Sequence, residues 1–320
     1  MKNKKLLPFF MTIMLLPLLF VTVTEAQTSE KPVIVCTTSA VGSVVEELLG
    51  DQAEVLVLVQ PGLCPADFDM KPGYVAAVSQ ATILFKQNIQ GEFWLNSLLE
   101  ASANENLTVV SIPGVYNTPE GAKSYITAVA ANLTQILGVD LESKTAQMIN
   151  DVDTVSNWIA TQAQTYDASN VKVICMAWLK TTIEAAGFSV VATFNPPETL
   201  SAGDITALIQ TAETEGVALI VDNLQIDTEF GEGIASQVGA EHLVLTNFPG
   251  AIPNTETLAL MLRYNAEQLF NSTVTWQTTS ALKAETQDLQ NQVSFFQITT
   301  SLAIIVACVE AVLLLAKRKR

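Results

Sequence analysis

The sequence predicts an α/β protein of two βα lobes, mostly parallel sheets, joined by a long helix, with an N-terminal signal peptide and a C-terminal transmembrane helix. Three observations predict it. Short β-branched runs alternate with helix-length stretches in two separate units, the pattern of parallel sheets covered on both faces. A purely helical pattern separates the units. Long apolar segments stand at both ends, each beside a cluster of basic residues.

Lys2, Lys4 and Lys5 precede an apolar run from Leu6 to Val23, closed by Thr24-Glu25-Ala26. A basic start, an apolar middle and a small residue before the cut describe a secretory signal peptide over 1–26. The first lobe is expected over 27–140. Val33-Ile34-Val35 marks a buried strand at Pro32–Thr37, and Ser39 is placed to cap a helix through Val41, Val44, Val45, Leu48 and Leu49 that stops at Gly50. A strand at Glu54–Gln60, a helix from Gly73, a strand at Ala81–Phe85, a helix at Phe93–Ala101 and a strand at Thr108–Ile112 continue the alternation.

Pro119 and Glu120 suit the first turn of the next helix, whose stripe is Ile126, Val129, Leu133 and Leu137. A linking helix over 141–167 carries Met148, Val152, Val155, Trp158 and Ile159. The second lobe is expected over 168–272. Its strands fall at Val171–Cys175, Ser189–Phe194, Ala218–Val221 and His242–Leu245, and its last helix runs from Thr255 to Phe270. Two such lobes leave a cleft beyond the carboxyl ends of their strands.

Residues 273–294 are polar, with Leu282, Leu289 and Phe296 spaced by sevens and Val293 in the alternate place. A solvated stalk and a short coiled coil both fit them. Phe295 to Ala316 is long enough to span a bilayer core of about 30 Å. Glu310 lies in that run toward its basic end, close enough to snorkel to water. The basic tail at 317–320 favours the cytoplasm. A cleaved signal and this tail agree on one arrangement: a single-pass cell-membrane protein with its lobes on the extracytoplasmic side.

Between signal and anchor, nine basic residues face 30 acidic ones, a net charge of about −21. Such a surface repels nucleic acid and anionic lipid. Four cysteines, Cys36, Cys64, Cys175 and Cys308, are too few for a disulfide scaffold. Sequons at Asn106, Asn132 and Asn271 are compatible with surface glycosylation. The lone histidine, His242, and the lack of a G-x-S-x-G elbow argue against an enzyme.

The loops carry a resemblance. Cys36-Thr37-Thr38-Ser39 follows the first strand, and Val59-Gln60-Pro61-Gly62-Leu63-Cys64-Pro65-Ala66-Asp67-Phe68-Asp69-Met70-Lys71-Pro72 follows the second. Further on come Ile112-Pro113-Gly114-Val115-Tyr116-Asn117-Thr118-Pro119, Phe194-Asn195-Pro196-Pro197-Glu198 and Leu262-Arg263-Tyr264-Asn265. In order and spacing over residues 32–270 they resemble the zinc- and manganese-type family of ABC-transporter solute-binding proteins. The resemblance implies a receptor that hands its solute to an ABC permease driven by an ATPase subunit. It also implies a metal site of three histidines, one at times a glutamate, and a carboxylate. Those positions here hold Ala66, Gly114, Met176 and Asn247. None is an ordinary zinc ligand.

Two readings of the cleft stay open. Cys64, Cys175 and Met176 are soft donors suited to copper(I), although each also reads as an ordinary packing residue or thiol. Alternatively the receptor keeps its fold and changes its cargo. Asp67, Asp69, Tyr116, Trp178, Asn223 and Asn247 at the rims suit a metal chelate, an organic cation or another small polar solute. The expectation is thus a solute-binding receptor with altered cargo, or else an anchored surface, adhesion or sensor protein reusing the fold without metal. The anchor and the acidic balance point to an archaeal-like source.

Overall fold

The computed structural model describes residues 31–318. The expected signal peptide and the last two residues of the basic tail lie outside the described residues.

The first sheet contains β1 (Val33–Cys36), β2 (Glu54–Val57), β3 (Ile83–Lys86) and β4 (Thr108–Ser111), all parallel, in the order β2-β1-β3-β4. β1 and β3 are central and buried on both faces, which is why they read as unbroken apolar runs. Helices α1 (Ser39–Leu49), α2 (Pro72–Gln80) and α3 (Leu95–Ser102) cover the sheet. α1 lies directly on β2 because Gly42 has no side chain: a Cβ there would come within 2.4 Å of Val57 Cγ2. Thr38, with extended backbone, occupies the capping position expected for Ser39. Ser39 is instead the first helical residue, and its hydroxyl is engaged with the other lobe.

α4 (Pro119–Leu137) begins as its sequence dictates, with the Thr118 hydroxyl accepting from the Gly121 N–H and Pro119 in the first turn. α5 (Glu142–Thr165) then runs along both lobes. Its Met148 and Val152 pack into the first core, Ile159 into the second, and Val155 touches both.

The second sheet contains β5 (Lys172–Met176), β6 (Ser189–Phe194), β7 (Leu219–Asn223) and β8 (Glu241–Leu245), parallel in the order β6-β5-β7-β8. It repeats the topology of the first. α6 (Lys180–Ala185), α7 (Ala202–Glu215) and α8 (Phe230–Val238) pack around it. In both sheets the strand order reverses beside the first strand, so loops diverge at the carboxyl ends of β1/β3 and β5/β7.

Where the sequence suggested a helix, a polar stalk and a span as three pieces, the structure has a single helix, α9 (Leu258–Arg318), of 61 residues. It contains neither Gly nor Pro, so nothing in it breaks the backbone ladder. Its first turns staple the lobes together. Leu258, Met261 and Leu262 join the first core, while Ala266, Leu269, Phe270 and the edge of Trp276 join the second. The Arg263 guanidinium lies 3.4 Å over the Trp158 ring of α5. Beyond Trp276 the helix leaves the second core, with Lys283 still reaching the lobe at Gly239, and an 18-residue stretch of it reaches a mean hydropathy of 2.4.

Candidate functional site

The loops at the carboxyl ends of the strands meet along a seam between the lobes. After β2 the chain forms a tight turn at Pro65–Asp67. Trp94 fixes that turn by donating its indole N–H to the Pro65 carbonyl at 2.8 Å, and the Phe68 ring stacks on Trp94 at 3.9 Å. Ala66, Asp67 and Asp69 are exposed on it, and Cys64 is half-buried. Partial burial pushes the Cys64 thiol up from its ordinary range, only partly offset by backbone N–H donors.

The loop after β4 turns at Gly114, whose φ of +127° favours glycine, and then buries Tyr116 and Asn117. The Tyr116 ring stands 5.6 Å from that of Tyr125, and burial pushes its hydroxyl up while a hydrogen bond with Gln87 opposes that. Beneath these rings Glu92 is buried as an acceptor for the Thr37 hydroxyl and for the backbone N–H groups of Gln87, Asn88 and Ile89.

From the second lobe, Cys175 and Met176 end β5 inside the core, fully buried. Burial pushes the Cys175 thiol up to about 12. Trp178, two residues on, is 49% exposed at the rim. Asn223 is buried at the end of β7, where its side-chain oxygen accepts from the Gln225 N–H at 3.1 Å. Asn247 follows β8 and is buried in the seam. All four cysteines are free thiols, so Cys64 and Cys175 are not bonded to each other.

Direct hydrogen bonds close the seam. The Asn117 amide donates to Asn247 Oδ1 at 3.2 Å and to the Trp178 carbonyl at 3.4 Å. Thr182 donates its hydroxyl to the Asn117 carbonyl at 2.9 Å. Gln225 Nε2 donates to the Pro61 carbonyl at 2.9 Å, and the Ser39 hydroxyl donates to the Pro249 carbonyl at 2.8 Å. Beside Asn117 and Thr182 lies a cavity of about 10 Å³, room for a single water at most. A larger solute enters this seam only if the lobes part.

Asn117, Asn247 and Trp178 therefore belong to a single network. Cys64, Ala66 and Asp67 sit on the neighbouring loop, tied to it through Pro61 and Gln225. Gly114 is exposed, while Tyr116 packs in the first core and Cys175, Met176 and Asn223 are buried in the second lobe. Of the connecting residues, Gln225 and Thr182 show no sign of this role in the sequence, Ser39 reads there only as a helix cap, and Asn117 stands only within a family-like loop. Asn117, two residues before the Pro119 helix start, carried a local signal; Gln225 carried none.

The donors present do not make a zinc or manganese site. Among the described residues no group of three or more His, Cys, Asp or Glu is placed to hold a metal ion. Gly114 and Ala66 offer no side-chain ligand, and Met176 faces the core.

Comparison with known proteins decides the family. Residues 34–272 match the family described as ZnuA, zinc-uptake complex component A, periplasmic. The chain belongs to that family. ZnuA-family proteins are extracytoplasmic receptors that bind metal and serve ABC permease and ATPase partners; they are transport receptors, not enzymes. Among curated proteins no sequence matches the chain. Solved structures share the fold. A crystal structure of ZnuA is 19% identical with a TM-score of 0.64, the match covering 76% of this chain and 100% of that one. The Mn-bound and Cd-bound periplasmic metal binding protein from candidatus liberibacter asiaticus is 13% and 14% identical, with a TM-score of 0.66 and the same coverage. The match spans the full length of the ZnuA structure.

Proposed function

We propose that this chain is a membrane-tethered ZnuA-family receptor of an ABC uptake system whose cargo is not a free zinc or manganese ion. One observation carries the reading. The position where the family's carboxylate is expected holds Asn247, and its side-chain oxygen already accepts from the Asn117 amide across the seam. Zinc takes imidazole, thiolate or carboxylate donors and manganese mainly carboxylate and imidazole, and neutral amides are poor substitutes. Amides, by contrast, both donate and accept, and they recognise small polar solutes.

Asn117, Asn247 and Gln225, with the Trp178 ring at the rim, suit a small polar cargo such as an organic cation or a metal chelate. The net charge of the lobes favours a cationic one. The apolar end of α9 supports the tether, which places the lobes outside the membrane near a permease and its ATPase. Cys175 and Met176 are too deeply buried in this closed state to serve a soft metal unless β5 shifts.

A second reading has its own support: the same direct bonds suit a surface or sensor protein that holds the closed lobes without cargo. One experiment separates these. Full-length protein is purified in detergent without chelators, its metals are measured by mass spectrometry, and its unfolding is followed with zinc, manganese, copper and a panel of small cations. The expected result is no stabilisation by zinc or manganese and a shift of several degrees with one polar cation. Stoichiometric zinc or manganese, lost on Asn247→Ala, overturns the altered-cargo reading. Copper lost on Cys64→Ser supports the soft-metal site instead, and no shift with any solute supports the surface protein.

A further inference from the structure

We propose that α9 pairs two copies of this chain in parallel, through one heptad seam that begins outside the membrane and runs through it. The inference rests on the tether proposed above. Leu282, Leu289, Phe296, Ala303 and Glu310 recur every seven residues, and Thr286, Val293, Thr300, Ala307 and Leu314 fill the alternate position. Because the helix is unbroken, that seam keeps its phase from the polar stretch into the apolar one. In the heptad register this places leucines at d and β-branched residues at a in the polar part, the choice that favours parallel dimers. The flanking residues Gln290 beside Leu289, Gln292 beside Val293 and Gln297 beside Phe296 are all neutral, so no like charges face each other there.

Among the described residues the seam has no partner: Leu282, Leu289, Val293 and Phe296 are all more than half exposed. Inside the apolar stretch it becomes a shallow groove along Ala303 and Ala307 that ends at Glu310. Small residues there let two backbones approach closely. Glu310 makes no hydrogen bond or ion pair among the described residues. A carboxyl group within the apolar run is costly unless it bends toward water at the basic end or meets another polar group.

A second copy is the occupant that answers every feature together. Two single-pass copies in one membrane lie parallel with the same residues at the same depth, so seam meets seam in register. Glu310 then faces Glu310, and a carboxyl hydrogen bond across the interface satisfies both. The acidic lobes do not outweigh this, because their repulsion is screened within about 8 Å at physiological salt.

Full-length protein in its membrane tests the proposal. Alkaline carbonate extraction comes first: release into the supernatant overturns the tether, and the pairing with it. In a Cys64→Ser, Cys308→Ser background, Leu289→Cys is oxidised beside Asn291→Cys, which points away from the seam. The expected result is a covalent homodimer at 289 and little at 291. Glu310→Ala should lower the 289 cross-link about 3- to 20-fold, and Glu310→Gln should keep most of it. Membrane-retained protein that cross-links equally at both positions, fails to cross-link at 289, or links there to a different protein overturns the pairing while leaving the tether standing.

Discussion

The amide of Asn117 reaches across the seam to Asn247, 3.2 Å from nitrogen to oxygen, and so couples the loop after β4 to the loop after β8. Both residues are buried, so truncating either strands a polar group. Asn117→Ala should destabilise the lobes by about 2 kcal/mol, lowering the thermal midpoint by roughly 4–8 °C. Asn117→Asp replaces the amide donor with an acceptor and should be at least as damaging. Calorimetry of both variants checks this; an unchanged midpoint would show that the seam is not closed in solution.

Gly114 limits any return to a metal site. Space is open around it, but its φ of +127° strains every side chain. Ala66→His with Asn247→Asp should therefore gain weak zinc binding at most. Adding Gly114→His should cost stability without restoring tight binding. Zinc titration calorimetry on the three variants provides the check.

Thiol reactivity should sort the cysteines by burial. Cys36 and Cys175 are buried, and burial holds both thiols above their ordinary range, so they remain protonated at pH 8. Cys64 is half-buried and should label first among these three. Mass mapping after a brief maleimide pulse at pH 8 should find label on Cys64, and on Cys36 and Cys175 only after denaturation.

Asp222 is wholly buried, with one oxygen bonded to His242 Nε2 at 2.9 Å and to the Gly231 N–H at 2.8 Å. Its other oxygen has no partner among the described residues. His242→Ala removes a side-chain partner from a buried carboxylate and should cost about 2–4 kcal/mol in denaturant unfolding. Asp222→Asn in that background should recover part of the loss, because a neutral amide costs less to bury than an acid side chain that has lost its partner.

Ser201 and Asp204 form a capping box at the start of α7. The Ser201 hydroxyl, and then its backbone N–H, hold the Asp204 carboxyl below its ordinary value of 3.8. A lowered acid contributes stability that is fully present above that ordinary value and is lost as pH falls through the lowered one. Ser201→Ala should move the Asp204 titration up toward 3.8, read by NMR, and reduce the midpoint by a few degrees.

The alternation of strands and helices was legible because buried parallel strands and amphipathic helices each leave a local period. β1, β5 and α4 fall where their residues place them. The family loops were legible for a different reason, since Gly and Pro punctuate them at characteristic spacings. The partners of Ser39 and Asn117 were not legible. A hydroxyl at a helix start reads as a cap whether it turns inward to its own backbone or outward to Pro249, 210 residues away. Cys175 and Met176 resembled soft donors in sequence, yet a strand end gives no sign of which face its last side chains meet. The continuity of α9 was hidden by composition: polar and apolar stretches look like separate pieces, although no residue between them stops a helix.

That continuity, together with the tether proposed above, would set how the cleft moves. About 18 residues of α9 separate Trp276 from Phe295, a rod of about 27 Å. The same residues as a slack tether would let the lobes wander through a volume some 21–25 Å in radius. With the apolar end held in a bilayer as proposed, a rod would hold the lobes at one height and leave them free to drift in the plane and spin about one axis. Meeting a transporter then becomes a two-dimensional search with one angle to match. Lengthening the rod by two residues would turn the cleft by about 200° while raising it only about 3 Å.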